Sequence, residues 1–290
     1  MLNYKILGPY FVIVSVFVIL FAGYAPQYVV SFSPIQSIIL NAYLLIIWYC
    51  FIKSVKTDPG RVPKGWDCQK YCWCTKCDAW KPERAAHCRW CERCVLKMDH
   101  HCPWIDNCVG YNNHIYFFGF IGLGIPLTLY LFVTLCGEVW KIIKMANMSS
   151  YYGPSMTEMT ILVLSLFVLF MINFAVGMLL GFQIWNVLNG QTTIEALRIS
   201  RAGDCHLDFE FPYDLGFIKN IETFLYGSHK GTEFEKIEGF KEGSWPPEFP
   251  ADYETDSEEG NEALYGVDQE YERVIRRRGV SWDNSQDNTS

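Results

Sequence analysis

Four long apolar runs constrain what this chain can fold into more than any other feature of its sequence. They cover roughly residues 6–24, 34–52, 115–136 and 160–188, and none of them contains Lys, Arg, Asp or Glu. Each run is long enough to cross a bilayer core of about 30 Å as a helix. A signal peptide is the alternative for the first run, and a buried helix of a soluble protein is the alternative for each. Because cleavage signals are weak and four runs occur together, the sequence predicts an α-helical membrane protein with four transmembrane helices.

The distribution of basic residues predicts the orientation of these helices. Residues 53–113, between the second and third runs, contain eleven Lys and Arg against seven Asp and Glu, whereas residues 25–33 contain no Lys or Arg. The positive-inside rule then places residues 53–113 and both termini in the cytosol. It places Asn147-Met148-Ser149, a candidate glycosylation triplet, on the lumenal side. The net charge of −7 argues against a nucleic-acid partner, because nucleic-acid-binding proteins are normally basic.

Nine of the twelve cysteines lie between Cys68 and Cys108, inside the predicted cytosolic segment. Since disulfides are rare in the cytosol, clustered thiols there indicate metal ligands. The spacing C-x2-C-x9-H-x6-C occurs twice, and the second copy is the first shifted by fourteen residues. Three thiolates and one imidazole form a closed tetrahedral set, so we predict two structural Zn²⁺ ions, with Cys68 or Cys72 as alternative ligands. The first set is Cys74, Cys77, His87 and Cys94, and the second is Cys88, Cys91, His101 and Cys108.

Cys102 remains without a place in either set. It follows Cys88 by fourteen residues, but the later positions of a third copy are not metal ligands. It ends the sequence Asp99-His100-His101-Cys102, in which His100 stays free if His101 binds zinc. An acidic residue that orients a histidine, which in turn deprotonates a cysteine, is the arrangement of an activated nucleophile. Cys102 is therefore a candidate nucleophile with His100 and Asp99 as its partners, and the alternative is a spare zinc ligand.

From Cys74 to Gly110 these residues resemble the DHHC protein S-acyltransferases, the palmitoyltransferases. The match runs without a gap through K-P-x-R, H-C-x2-C, D-H-H-C-P-W and N-C-V-G, and Asn113 continues it. Ala86 stands where many relatives carry a second histidine, a difference from which we expect little consequence. Three further segments are similar to family motifs, namely Asp58-Pro59-Gly60, Thr192-Thr193-Ile194-Glu195, and Phe211-Pro212-Tyr213-Asp214-Leu215-Gly216 followed by Asn220.

The resemblance implies a two-step transfer of a long-chain acyl group from acyl-CoA to cysteine thiols of membrane proteins. It implies that Cys102 carries the acyl group, that His100 takes the thiol proton, and that Asp99 holds His100. Palmitoyl-CoA is the implied acyl donor. Pro82-Glu83-Arg84, and Gly239-Phe240 before Trp245-Pro246-Pro247, are similar to the fungal endoplasmic-reticulum subgroup, which acts on multi-spanning clients such as chitin synthase. This subgroup implies the endoplasmic-reticulum membrane, with the Golgi or vacuolar membrane as the alternative.

The remaining segments complete the predicted organisation. Residues 53–114 form the Cys-rich domain, residues 189–230 a TTxE and amphipathic region, and residues 231–290 an acidic tail expected to be disordered. Asn173 and Gln183 are the strongly polar side chains of the fourth run, and we expect them to form hydrogen bonds between helices.

Three other functions compete with acyl transfer as explanations of these motifs. A zinc module for protein interaction would bind metal without taking an acyl label. A membrane-anchored zinc ubiquitin ligase has no reason to place an unliganded cysteine after two histidines. A transporter would require buried charged residues in its spans, and these runs contain none.

Overall fold

The computed structural model describes residues 4–62, 73–82, 84–146, 153–204 and 211–227. Within these ranges it contains six α-helices, six short strands and one 3₁₀ turn at Pro103–Ile105. The glycosylation triplet at Asn147, the alternative ligands Cys68 and Cys72, and the acidic tail 231–290 lie outside the described residues. The helices are α1 (Tyr4–Val29), α2 (Pro34–Lys56), α3 (His114–Met145), α4 (Met156–Leu188), α5 (Thr193–Asp204) and α6 (Phe217–Gly227).

Helices α1 to α4 form a bundle, and each of them is long and apolar enough to span a membrane. Each predicted apolar run lies inside one of these helices, which extend beyond it. The bundle core is aliphatic and includes Leu44, Leu131, Leu162 and Leu169. Large apolar side chains on the outer faces remain exposed, which is typical of helices that are hydrophobic all round and face lipid.

Capping boxes explain where α2 and α4 begin. The hydroxyl of Ser33 accepts a hydrogen bond from the backbone N–H of Gln36, and the hydroxyl of Ser155 accepts one from the backbone N–H of Glu158. The side chains of Gln36 and Glu158 in turn accept from the backbone N–H of the serine that precedes each helix. These bonds satisfy N–H groups that a helix start leaves unpaired. Helix α4 therefore begins ahead of its apolar run.

Three β-hairpins form the Cys-rich domain between α2 and α3. The antiparallel pairs are β1 (Trp73–Cys74) with β2 (Ala79–Trp80), β3 (Ala86–Cys88) with β4 (Arg93–Val95), and β5 (His100–Cys102) with β6 (Asn107–Val109). The predicted fold class, four membrane helices with a Cys-rich domain between the second and third, is confirmed.

The three hairpins repeat the same register at the fourteen-residue interval of the ligand spacing. Cys74 is paired with Ala79, Cys88 with Arg93, and Cys102 with Asn107. The turn of each hairpin also contains an acidic residue with positive φ, at Asp78, Glu92 and Asp106. The repeat thus continues in the backbone into a third hairpin, although the ligand pattern stops after the second.

The third hairpin is attached to the C-terminal end of α2 through Asn107. Its side-chain amide donates to the backbone carbonyls of Ser54, Val55 and Thr57, at 3.2, 3.1 and 3.0 Å. These are carbonyls that a helix end leaves without partners. Because Asn107 is paired with Cys102 across the hairpin, the end of a membrane helix determines where Cys102 lies.

Helices α5 and α6 follow α4 and return to the Cys-rich domain and the bundle. The side chain of Asn220 in α6 donates to the carbonyl of Leu188, the last residue of α4, at 2.8 Å. Phe224 packs edge-on against the rings of His114 and Phe118 at the start of α3. These contacts place α6 beside the start of α3 and the C-terminal end of α4.

Candidate active site

The first predicted zinc set converges on one point. The Sγ atoms of Cys77 and Cys94 are 3.7 Å apart, and Nδ1 of His87 is 3.6 Å from Sγ of Cys74 and 3.2 Å from Sγ of Cys77. Ligand atoms at the corners of a tetrahedron with Zn–S bonds of about 2.3 Å lie about 3.8 Å apart. The four side chains therefore fit the size of a tetrahedral zinc site, with His87 contributing Nδ1.

The second predicted set converges in the same way. Nδ1 of His101 lies 3.5 Å from Sγ of Cys91 and 3.6 Å from Sγ of Cys88 and of Cys108. The Sγ atoms of Cys91 and Cys108 are 3.4 Å apart. Four protein ligands leave no position for water, which is typical of a structural site. Both sets could hold a metal ion.

Cys102 belongs to neither set, and it lies beside His100. Nδ1 of the His100 ring lies 2.6 Å from Oδ2 of Asp99, and the Cys102 side chain is close enough to the ring to raise the pKa of His100. Cys102 is 5% exposed and Asp99 is completely buried. A thiol, an imidazole and a carboxylate connected in this order allow the imidazole to take the thiol proton.

Hydrogen-bond donors surround the Asp99 carboxylate. Besides His100, Oδ2 accepts from Nε2 of Gln183 and from the hydroxyl of Thr193, both at 2.9 Å. Oδ1 accepts from the backbone N–H of Thr193 at 2.7 Å. Burial raises the pKa of Asp99, but these hydrogen bonds and the imidazoles of His100 and His114 outweigh burial and hold the pKa below its ordinary value. Asp99 is therefore an ionised acceptor with a fixed orientation.

The pKa of His100 depends on its burial and on its neighbours Asp99 and Cys102. Burial by itself lowers the pKa of His100, but the hydrogen bonds to Asp99 and Cys102 and the charges of these groups raise that pKa to about 10. The raised pKa makes the protonated imidazole the favoured form of His100, and this places a positive charge beside the Cys102 side chain. The ring also packs edge-on against Phe117, with ring centres 5.2 Å apart.

A buried ion pair joins the Cys-rich domain to the segment that follows α4. Arg84 donates to both carboxylate oxygens of Glu195, at 2.6 and 2.5 Å, and to the carbonyl of Gly190 at 2.8 Å. The guanidinium group also lies 4.4 Å from the ring centre of Tyr213. Since Thr193 lies on the same turn as Glu195, this ion pair also holds the residue that binds Asp99.

An apolar cavity of about 300 Å³ lies between the four membrane helices and is lined at one end by Cys102. Its wall follows α3 from Phe117 to Leu131, a rise of about 21 Å along the helix. The hydroxyl groups in the wall are already paired, because Ser15 donates to the carbonyl of Trp104 and Thr128 donates to Asn173. The cavity thus has the shape and polarity to accept an alkyl chain.

Comparison with known proteins identifies the family. The sequence model described as DHHC palmitoyltransferase matches residues 67–200. Palmitoyltransferase pfa4 of Aspergillus fumigatus is 32% identical over 301 residues, and the alignment covers 84% of this chain and 69% of that protein. The chain belongs to the DHHC palmitoyltransferase family. The prediction that it is an acyltransferase is thereby confirmed.

Two further relatives agree with this membership in the DHHC family. Palmitoyltransferase pfa4 of Emericella nidulans is 36% identical over 265 residues, covering 73% of this chain and 60% of that protein. Probable protein S-acyltransferase 16 of Arabidopsis thaliana is 36% identical over 212 residues, covering 64% of this chain and 70% of that protein. The chain therefore spans about 60 to 70% of the length of these relatives.

In this DHHC protein Gln183 and Arg84 belong to the site, although the sequence predicts no role there for either. Asn173 and Gln183 bond between helices as predicted, but Gln183 also binds Asp99. A signal was present, because Gln183, Asn186 and Asn189 recur every third residue and form a polar stripe on an otherwise apolar helix. Arg84 lies in the K-P-x-R motif, but no spacing rule pairs it with Glu195.

Proposed function

We propose that this chain is a protein S-palmitoyltransferase that carries the acyl group on Cys102 between acyl-CoA and a cysteine of a membrane protein. The observation that supports this most strongly is the position of Cys102, which lies beside His100 and also lines the apolar cavity. A thioester at Cys102 would keep its alkyl chain in that cavity while CoA stays in the cytosol. Burial of the chain is worth roughly 0.8 kcal/mol per methylene, or about 11 kcal/mol for palmitoyl.

In the first step His100 takes the thiol proton of Cys102, and Asp99 holds the imidazole in place. The thiolate attacks the thioester carbonyl carbon of acyl-CoA. The bond from this carbon to the CoA sulfur then breaks, and the CoA thiolate takes the proton from His100. The acyl group is now bonded to Sγ of Cys102, and His100 is neutral again.

In the second step the thiol of the client replaces CoA. His100 takes its proton, and the client sulfur attacks the carbonyl carbon of acyl-Cys102. The bond to Sγ breaks, and His100 returns the proton to Cys102. Because one thioester is exchanged for another, the reaction is nearly balanced in energy, and the protein supplies position and a thiolate.

The two Cys and His sets would hold the Zn²⁺ ions of this family in a structural role. When bound, zinc supplies the folding free energy that a small domain with few aliphatic residues lacks. The ligands are Cys74, Cys77, His87 and Cys94 in one set and Cys88, Cys91, His101 and Cys108 in the other. Cys102 stays outside both sets and keeps its thiolate for the acyl group.

The proposed setting is the endoplasmic-reticulum membrane, with both termini and the Cys-rich domain in the cytosol. The excess of basic residues in 53–113 supports this orientation, and it also suits the phosphates of CoA. Multi-spanning membrane proteins of the chitin synthase kind are the proposed clients, on the basis of the resemblance to the fungal subgroup.

Intact mass measurement after incubation with palmitoyl-CoA tests the proposal. We expect the wild-type chain to gain one palmitoyl mass that hydroxylamine removes, and Cys102→Ala to gain none. Cys136→Ala is the matched control, because Cys136 is exposed on α3 and does not line the cavity. An equal adduct on the wild type and Cys102→Ala would contradict Cys102 as the acyl carrier.

A further inference from the structure

Gln183 lies at the centre of a hydrogen-bonded chain that connects two membrane helices with Asp99. The side chain is 1% exposed and lies near the C-terminal end of α4. Its Nε2 donates to Oδ2 of Asp99 at 2.9 Å, and its Oε1 is 3.0 Å from Nε2 of His114, the first residue of α3. Among the residues that the structure describes, it is the one side chain of a membrane-spanning helix with a hydrogen bond to Asp99.

The chemistry of Asp99 determines which way the Gln183 amide points. An ionised carboxylate only accepts hydrogen bonds, so the amide must present its NH₂ group to Asp99. Its carbonyl oxygen then faces His114, whose Nε2 must carry a proton in order to donate to it. His114 is buried and packs against Phe224, so its ring cannot turn away easily. The His114 ring therefore fixes the orientation of the Gln183 amide, and the amide in turn fixes the orientation of the Asp99 carboxylate.

A displaced Asp99 would affect the step at Cys102, because Oδ2 also binds His100. Oδ2 accepts from His100 at 2.6 Å, from Thr193 at 2.9 Å and from Gln183 at 2.9 Å. The donors approach from three different elements, namely β5, α5 and α4. Loss of the donor on α4 leaves the carboxylate free to rotate toward Thr193, and His100 turns with it.

We propose that Gln183 is a positioning residue for the transfer reaction and that His114 acts through it. Gln183 fixes the orientation of Asp99 from the membrane side, while Thr193 fixes it from the cytosolic side. This inference rests on the proposed function of Cys102, His100 and Asp99. It predicts that loss of the amide slows the chemical step and leaves the binding of acyl-CoA unchanged, because no part of Gln183 lines the cavity.

The experiment compares single-turnover acylation of the wild-type chain with that of Gln183→Met, which keeps the length of the side chain and removes its hydrogen bonds. At saturating palmitoyl-CoA we expect the acylation rate to fall about tenfold, as for loss of one hydrogen bond to a charged group. The palmitoyl-CoA concentration at half-maximal rate should stay within about twofold, and the zinc content should not change. Gln183→Glu should be slower still, since it places an oxygen against Asp99.

The matched control is Gln27→Met, the same change at another membrane-helix amide. Gln27 accepts a hydrogen bond from Asn41 of α2 and does not line the cavity. This variant should keep the wild-type rate, and it should lower thermal stability less than Gln183→Met, because Gln27 is only partly buried and its hydrogen bond to Asn41 is 3.3 Å long. If both variants lose the same rate, or if the Gln183→Met loss follows zinc content, Gln183 is only structural and the inference is overturned.

A double-variant cycle tests the role of His114 independently of folding losses at a single site. His114→Phe keeps a ring against Phe224 but removes the hydrogen bond to the Gln183 amide. If His114 acts through Gln183, the double variant should be no slower than Gln183→Met alone. If the rate loss of the double variant instead equals the product of the two single losses, His114 does not act through Gln183, and this part of the proposal is overturned. A wild-type chain that takes no acyl label dependent on Cys102 would instead contradict the proposed function itself.

Discussion

A leucine in place of Gly124 should shorten the acyl chain that the protein accepts. Gly124 lies on α3 and lines the cavity, and a Cβ atom added there would meet no atom within 4 Å. The cavity continues past it to Thr128 and Leu131, about one and two helical turns farther from Cys102. A leucine side chain would therefore enter open space without displacing the backbone, and it would occupy part of the path of a long chain.

The magnitude follows from the number of methylenes that leucine displaces. Its side chain extends over about three methylenes, and each loses roughly 0.8 kcal/mol of burial, about 2.4 kcal/mol in all. An octanoyl chain, about half as long as palmitoyl, ends near Gly124, which lies halfway along the lining of α3 between Phe117 and Leu131. At 1.36 kcal/mol per factor of ten, the preference for palmitoyl-CoA over octanoyl-CoA should fall about 60-fold.

The assay is acylation of Cys102 by palmitoyl-CoA and octanoyl-CoA in separate reactions, measured as kcat/KM for each donor. Gly137→Leu is the matched control, because Gly137 is also on α3 with no atom within 4 Å of an added Cβ, yet does not line the cavity. An unchanged ratio in Gly124→Leu, or the same change in Gly137→Leu, would refute the assignment of the cavity to the acyl chain.

Two more predictions concern stability and metal binding. Glu195→Gln leaves the buried Arg84 guanidinium without its charge partner and should lower the free energy of unfolding by about 3–5 kcal/mol in denaturant titrations. Burial raises the pKa of Glu195, but Arg84 outweighs burial and lowers the pKa below 4.5. The difference in the free energy of unfolding between wild type and variant should therefore be complete above pH 4.5 and should vanish in more acidic buffer. Cys74→Ser should reduce bound zinc from about two ions per chain to about one by metal analysis, whereas two retained ions would indicate that Cys68 or Cys72 substitutes as a ligand.

The sequence predicts well the features that depend on residues close together in the chain. Apolar length alone indicates four spans, because an uncharged helix of that length is stable only in lipid. The two metal sets follow from spacing, since ligands at a fixed offset on repeated hairpins must meet at equivalent points. Gln183 and Asp99 are separated by 84 residues, and Arg84 and Glu195 by 111. Their pairing depends on how α4 packs beside the Cys-rich domain, which no local pattern encodes.

The third hairpin gives a physical reason for the position of Cys102, the proposed nucleophile. Cys102 has the register that Cys74 and Cys88 have in the first two hairpins, where the thiol faces a metal site. Three residues later those hairpins place Cys77 and Cys91, whereas the third places Ile105, which is buried in an apolar cluster with Cys102. The same backbone therefore presents a thiol in all three, and only the surroundings of the third exclude a metal ion.

A different cation takes the place of the metal beside Cys102. The His100 imidazolium, held by Asp99, places a positive charge beside Cys102 and, unlike a metal ion, does not coordinate the sulfur. A metal-bound thiolate shares those electrons with the ion and is held in a closed shell. The Ile105 side chain joins the apolar cluster where a ligand stands in the other hairpins, and the cavity opens on that side. The third hairpin therefore differs from the first two by an isoleucine in place of the second cysteine and by the His100–Asp99 pair beside Cys102, and these differences suit the acyl carrier proposed for Cys102.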